Sequence, residues 1–177
     1  MAIFGHYPII MPSAKTQILN DAGIRKTLKR LAYQVYERNS DEKEIVIVGI
    51  AGRGAMIAEM IVKELTEICK IKIHLNEIIF NRENPSRQST RLKKEINLND
   101  KCVIVVDDVL NTGKTFMYAM LPFIETNPKR IQTLVLVDRN HKAFPISADY
   151  IGISLSTTLQ EHVEVNIEKN KVNVFLK

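Results

Sequence analysis

Short runs of β-branched apolar residues alternate along this chain with segments whose apolar positions recur at helical spacing. Ile24, Leu28, Leu31, Ala32 and Val35 predict a first helix, with Asn20 or Asp21 as its N-cap. Residues 45–50 predict a buried strand that runs into Ala51-Gly52-Arg53-Gly54, and a second helix follows with Met56, Ile57, Met60, Ile61 and Leu65. A strand over 71–75, extending towards Phe80, comes next. Residues 103–106 predict a strand buried on both faces, and a helical pattern then runs over 116–124 with Pro122 near its end. Further strands are predicted at 131–137 and 149–154. The alternating stretches 163–167 and 172–176 read as a hairpin turning through 168–170. Alternating strand–helix units with a β-rich C-terminal addition imply an α/β fold built on a mainly parallel, doubly wound sheet.

Two segments stand outside this pattern. Residues 1–16 read as a loose N-terminal extension. Residues 81–100 lack apolar periodicity and hold Arg82, Arg87, Arg91, Lys93 and Lys94. A polar stretch this long in a compact domain is a functional lid or a disordered segment. Repeats, low-complexity tracts and linkers are absent, so 1–177 reads as one domain.

Composition narrows the class. The apolar fraction of 45% and charged fraction of 25% are ordinary for a globular protein. Every apolar run falls short of the roughly 20 residues that span a bilayer. The first residues lack a basic segment and are broken by Pro8 and Pro12, so a cytoplasmic protein is expected. Cys69 and Cys102 have no metal-ligand spacing and read as buried reduced thiols. A net charge of +5 suits a polyanionic small ligand and argues only weakly for nucleic acid.

The chemistry concentrates in 103–115, VIVVDDVLNTGKT. A buried strand, the carboxylates Asp107 and Asp108, a short loop and a helix start follow one another. In open α/β sheets ligands bind at such strand ends, and backbone N–H groups at a helix start favour phosphate. Carboxylates repel phosphate but accept hydrogen bonds from adjacent hydroxyls. A ribose diol beside a 5′-phosphate satisfies both halves of the run. Gly113-Lys114-Thr115 invites comparison with a P-loop, but that motif needs glycine where Asp108 stands. A strand–turn–helix with merely exposed polar residues is the remaining bland alternative.

This run resembles the phosphoribosyl-pyrophosphate (PRPP) signature of type I phosphoribosyltransferases. Together with 134–152 (LVLVDRNHKAFPISADYIG) and 23–39 (GIRKTLKRLAYQVYERN), it is most similar to the bifunctional pyrimidine-operon attenuator/uracil phosphoribosyltransferases. The resemblance covers roughly residues 18–176. It implies the type I phosphoribosyltransferase fold with a small hood, a C-terminal hairpin and a flexible catalytic loop at 81–100. Asp107 and Asp108 would hold the ribose hydroxyls, and Asn111, Thr112, Gly113, Lys114 and Thr115 the 5′-phosphate. Ala51, Gly52, Arg53 and Gly54 correspond to the pyrophosphate loop, where the family's Thr-Arg-Gly reads Gly-Arg-Gly. Arg82 matches the arginine that closes on pyrophosphate, with Asn81 in place of the usual preceding tyrosine. Arg139, Tyr150, Ile151 and Gly152 fall in the base-binding hood. His141 in the same segment is a base contact or acid–base group at most, and a structural role is preferred. Mg²⁺ would be held by substrate oxygens, without protein metal ligands.

The resemblance also implies homo-oligomers and binding of pyrimidine-leader RNA. Arg25, Lys26, Lys29 and Arg30 on the first helix, with Lys142, supply part of a basic surface. Ser147 and Ile153 stand where the relatives are basic. Three functions therefore stay open: uracil phosphoribosyl transfer to give UMP, RNA attenuation, and a PRPP sensor with little catalysis.

Overall fold

The computed structural model describes residues 15–80, 90–158, 161–168 and 171–177. Its central sheet has six strands in the order β4-β3-β2-β5-β6-β7. These are β2 (Glu44–Ile50), β3 (Lys72–Ile79), β4 (Arg91–Leu92), β5 (Cys102–Leu110), β6 (Arg130–Asp138) and β7 (Tyr150–Ser154). All neighbours pair in parallel except the short β4, which runs antiparallel to β3.

Side-chain alternation explains why this sheet is buried on both faces. Ile45, Ile47, Ile104, Val106, Leu134 and Leu136 point to one core. Val46, Val48, Ile50, Val103, Val105 and Val135 point to the other. Helices α1 (Asp21–Arg38) and α2 (Arg53–Ile68) cover the first face through Ile24, Leu28, Leu31, Ile57, Ile61 and Leu65. The short helices α3 (Lys114–Ala119) and α4 (Leu121–Ile124) cover the second through Phe116, Ala119 and Phe123. The N-cap of α1 is Asn20, whose side-chain oxygen accepts from the Gly23 N–H at 2.9 Å.

A smaller antiparallel sheet, β1-β9-β8, is formed by β1 (Thr16–Leu19), β8 (Val163–Glu168) and β9 (Lys171–Leu176). The predicted hairpin is β8–β9, with Asn166 opposite Asn173. Val165, Val172 and Val174 join the α1–α2 core, which fixes the small sheet to the main body. β1 lies at the C-terminal edge of the predicted N-terminal extension and pairs with β9.

Four local features differ from the sequence expectations. The helix predicted over 116–124 starts at Lys114 and divides at Met120 into α3 and α4, because Pro122 lacks the N–H that a continuous helix needs there. Beyond residue 89 the polar segment is anchored: Arg91 and Leu92 pair with β3, and Leu98 is buried. Strand β5 continues through Asp107 and Asp108 to Leu110, so the carboxylates belong to the strand itself. Cys102 is buried, but Cys69 caps α2 and is only partly covered. Among the described residues no helix is long and apolar enough to cross a membrane.

Candidate functional site

The C-terminal edge of the parallel sheet collects the polar residues that the sequence marks. Strand β2 ends at Ile50, and the chain turns through Ala51 and Gly52 into α2, which begins at Arg53. Gly52 has φ +95°, a conformation that side chains rarely adopt. Gly54 is needed for a different reason. A Cβ there would lie 2.7 Å from the Val106 carbonyl oxygen and 2.9 Å from Asp107 Oδ1. The start of α2 thus rests directly on the end of β5.

On β5, Asp107 is 3% exposed and Asp108 8% exposed, so both carboxylates are nearly enclosed at the strand end. Asp107 Oδ1 accepts the Asp108 N–H at 3.0 Å. Asp108 Oδ2 lies 3.6 Å from Arg53 Nη1, an ion pair that links the two strand-end loops. Burying carboxylates is costly unless charge or hydrogen bonds compensate, and here both do.

Asn111 and Thr112 continue from β5 as an exposed turn, followed by buried Gly113 at φ +85° and exposed Lys114. Thr112 Oγ1 accepts the Lys114 N–H at 3.3 Å. Behind the turn, the Thr112 carbonyl accepts from the N–H groups of Ala143 and Phe144 at 2.9 and 3.0 Å. The loop is therefore braced from behind by the 143–144 backbone, while Asn111, Thr112 and Lys114 are exposed and Thr115 is partly exposed. The structure brings Ala51, Gly52, Arg53, Gly54, Asp107, Asp108 and 111–115 to one sheet edge. Arg82 lies outside the described residues.

The candidates from the hood divide differently. Tyr150 is 1% exposed within the α1-side core, its hydroxyl accepting from Asn39 Nδ2 at 3.2 Å and its ring lying under Arg38. Burial pushes its phenol pKa up. Gly152 sits beneath α1, where any Cβ would collide with the Leu136 carbonyl oxygen and the Thr27 methyl. Both positions pack the fold, Tyr150 by filling the core and Gly152 by letting the β7 backbone approach β6 and α1 closely. Ile151 is partly exposed and packs towards the α3-side core.

Arg139 is 5% exposed and spends its guanidinium on protein acceptors. Nε donates to Thr157 Oγ1 at 3.1 Å, and Nη2 donates to the carbonyls of Thr158 and Glu161. His141 Nε2 lies 2.6 Å from the Thr157 carbonyl oxygen. A carbonyl only accepts, so Nε2 donates in this bond, which ties the turn at His141 to Thr157. Thr157 and Glu161 carry no periodic or motif signal, which is why they are invisible until the chain is folded.

The basic candidates on α1 are likewise redistributed. Arg25 pairs with Asp21 at 2.8 Å, and Asp21 also accepts the Val172 N–H. Arg30 Nη2 donates to the carbonyls of Ile151 and Gly152 on edge strand β7. Lys142 pairs with the buried Asp138 carboxylate at 2.9 Å. Lys26 and Lys29 remain exposed, and Tyr33, one turn beyond Lys29, is 50% exposed. That aromatic neighbour does not stand out from the charge pattern alone.

The chain is similar to known proteins in sequence and in fold. The phosphoribosyl transferase domain family matches residues 14–168. The chain is 38% identical over 173 residues to the bifunctional protein PyrR of Clostridium acetobutylicum, covering 91% of this chain and 97% of that protein. It is 36% identical to the bifunctional protein PyrR of Haemophilus ducreyi, covering 85% and 89% of the two chains. In fold it is similar to the hypoxanthine phosphoribosyltransferase of Trypanosoma cruzi, with TM-score 0.73, 16% identity and coverage of 90% and 95%. A hypoxanthine-guanine phosphoribosyltransferase from Bacillus anthracis gives TM-score 0.67 at 21% identity, covering 79% and 82%. The family match over most of the chain and the sequence identity to these relatives show that the chain belongs to the phosphoribosyl transferase domain family.

Proposed function

We propose that this phosphoribosyltransferase moves ribose 5-phosphate from PRPP to uracil, giving UMP and pyrophosphate. The observation that carries this reading is the placement of Asp107 and Asp108 between the Arg53 turn and the 111–115 loop. The bond from ribose C1′ to the pyrophosphate oxygen breaks, and a bond from C1′ to uracil N1 forms. The N1 proton leaves to solvent or to the departing pyrophosphate. Positive charge grows on the ribose as in glycoside cleavage, and the two enclosed carboxylates hold its hydroxyls and face that charge.

Loop donors from Asn111 to Thr115 would fix the 5′-phosphate. Arg53 and the main chain of 51–54 would receive pyrophosphate, with Arg82 closing over it. Mg²⁺ would offset the leaving group's charge. The hard carboxylate oxygens of Asp107 and Asp108 suit this ion, but Asp107 Oδ1 already accepts the Asp108 N–H and Asp108 Oδ2 already pairs with Arg53. That arrangement fits an ion held chiefly by substrate oxygens.

The test is a base panel of uracil, hypoxanthine, guanine, xanthine and orotate with PRPP and Mg²⁺, following pyrophosphate release. Turnover is expected with uracil, falling by orders of magnitude in Asp107→Asn/Asp108→Asn while the fold survives. Wild-type-like turnover in that double variant would sink the assignment.

RNA attenuation is the second reading. It is favoured by the exposed Lys26, Lys29 and Tyr33 on α1, which combine charge with a ring on which a base can stack. The name of the relatives, bifunctional protein, accords with two activities. A gel-shift titration with pyrimidine-leader RNA should then show salt-dependent binding that responds to uridine nucleotides.

A further inference from the structure

We infer that Arg139 is a positioning residue that holds the nucleobase-side wall of the site, rather than a group that touches the base. This inference rests on the phosphoribosyl-transfer reading above and names how its acceptor side is built.

Displacement at C1′ puts the leaving group and the attacking nitrogen on opposite faces of the ribose. Strand β5, with Asp107 and Asp108, lies between β2 and β6 in the sheet. Pyrophosphate on the β2 side, at the 51–54 turn, therefore assigns the base to the β6–β7 side. The register agrees, since Asp107 lies level with Val135 of β6 and Ile151 of β7. The chain leaving the C-terminal end of β7 enters 155–158 at that same edge.

These residues are tied back to the end of β6 by a concentrated set of bonds. The Leu155 N–H donates to the Asp138 carbonyl at 2.8 Å. Arg139 takes Thr157, Thr158 and Glu161, and His141 takes the Thr157 carbonyl. Asn140 Nδ2 donates to Ser154 Oγ at 2.9 Å. Glu161 turns its carboxylate onto the Thr158 N–H at 2.6 Å, which lowers the Glu161 pKa and closes the segment on itself.

Arg139 also faces the other way. Its own N–H donates to the Leu110 carbonyl at the end of β5, 2.9 Å away. The turn after it holds the Thr112 carbonyl through Ala143 and Phe144. One buried residue thus fixes the distance between the strand that carries the carboxylates and the segment that walls the base. A guanidinium suits this task because its planar fork satisfies several acceptors at once, which an ammonium does less well.

The experiment compares wild type, Arg139→Met and Arg139→Lys. Steady-state kinetics read KM for PRPP and nucleobase separately, and hydrogen exchange reads the amides of 155–158. Arg139→Met should raise KM for the nucleobase about tenfold or more, with KM for PRPP held within about twofold. Exchange should quicken in 155–158 but stay at wild-type rates in α1, and Arg139→Lys should fall between. A second variant, Thr157→Val, should shift the nucleobase KM in the same direction, and its effect should largely vanish in the Arg139→Met background. Unchanged protection of 155–158 overturns the inference, as does a rise in both KM values together. If wild type transfers to no base, the functional reading fails. The exchange measurement then decides the brace alone.

Discussion

Gly54 lies so close to Asp107 that a single added carbon would come 2.9 Å from the carboxylate and 2.7 Å from the preceding carbonyl. The start of α2 and the carboxylate-bearing end of β5 therefore hold each other in place. Gly54→Ala should displace one of them. We expect turnover to fall about 100-fold, because misplacing reacting groups by about 1 Å has that order of effect. A stability loss of about 1–3 kcal/mol should accompany it, read by thermal melting. Unchanged turnover would show that the contact does not set the carboxylate's position.

Arg53 combines an internal pair to the nearly enclosed Asp108 with a strong expected ligand contact. Its guanidinium is about half exposed and 3.6 Å from Asp108. Arg53→Ala should lower stability by about 1 kcal/mol or more, because it leaves the nearly enclosed Asp108 carboxylate with less compensating charge. KM for PRPP should rise about tenfold or more, an affinity loss of about 1.4 kcal/mol. Arg53→Lys should recover only part of it, because the ammonium lacks the fork that grips a diphosphate. A PRPP titration at saturating base decides between these outcomes.

Acid stability should depend on Glu44, at the opposite end of the sheet from the site. Its carboxylate accepts from Lys101 and lies 2.7 Å from His74, and these partners lower its pKa from 4.5 to about 2. A carboxyl with a depressed folded pKa contributes fully above its ordinary value. The contribution fades as pH falls from 4.5 towards 2 and is gone below that. Glu44→Gln should flatten the acid limb of a melting-temperature profile in this window. Because the side chain is partly exposed, solvent and salt should weaken the effect.

Two basic residues one position apart on α1 should behave differently. Lys29 is exposed, whereas Arg30 donates to the carbonyls of Ile151 and Gly152. If RNA binds this helix, Lys29→Gln should lower the salt slope of binding by about 1 for each phosphate left without its cation, with unchanged melting. Arg30→Gln should instead lower stability by about 1 kcal/mol, since its partly buried bond to the Gly152 carbonyl is lost while water can reach the exposed Ile151 carbonyl. Gel shifts across a salt series, with melts of both variants, separate the two.

The strand–helix alternation and the carboxylate-bearing strand end were legible in the sequence because a two-faced buried strand leaves an uninterrupted apolar run. The β8–β9 hairpin was legible from its alternation. β1 and β4 were not, since four and two residues are too few to establish a period. The break at Met120 was half legible, as Pro122 marked an end but not a restart. Cations were the hardest to read. Nothing local distinguishes Arg30 or Arg139, bonded to distant carbonyls, from Lys29, which faces water. Tyr150 and Gly152 were placed in the hood by family resemblance, whereas the burial of Tyr150 and the close approach of Leu136 to Gly152 could be read only from the fold.

The guanidinium of Arg30 across β7 has a consequence for self-association. A bare outer strand is a template on which another chain can add its own backbone. Here the carbonyls of Ile151 and Gly152 already have a donor, and the opposite border of the central sheet is the two-residue β4. Among the described residues, growth of the central sheet from molecule to molecule is therefore discouraged at both borders. Copies that assemble are expected to do so without extending this central ladder.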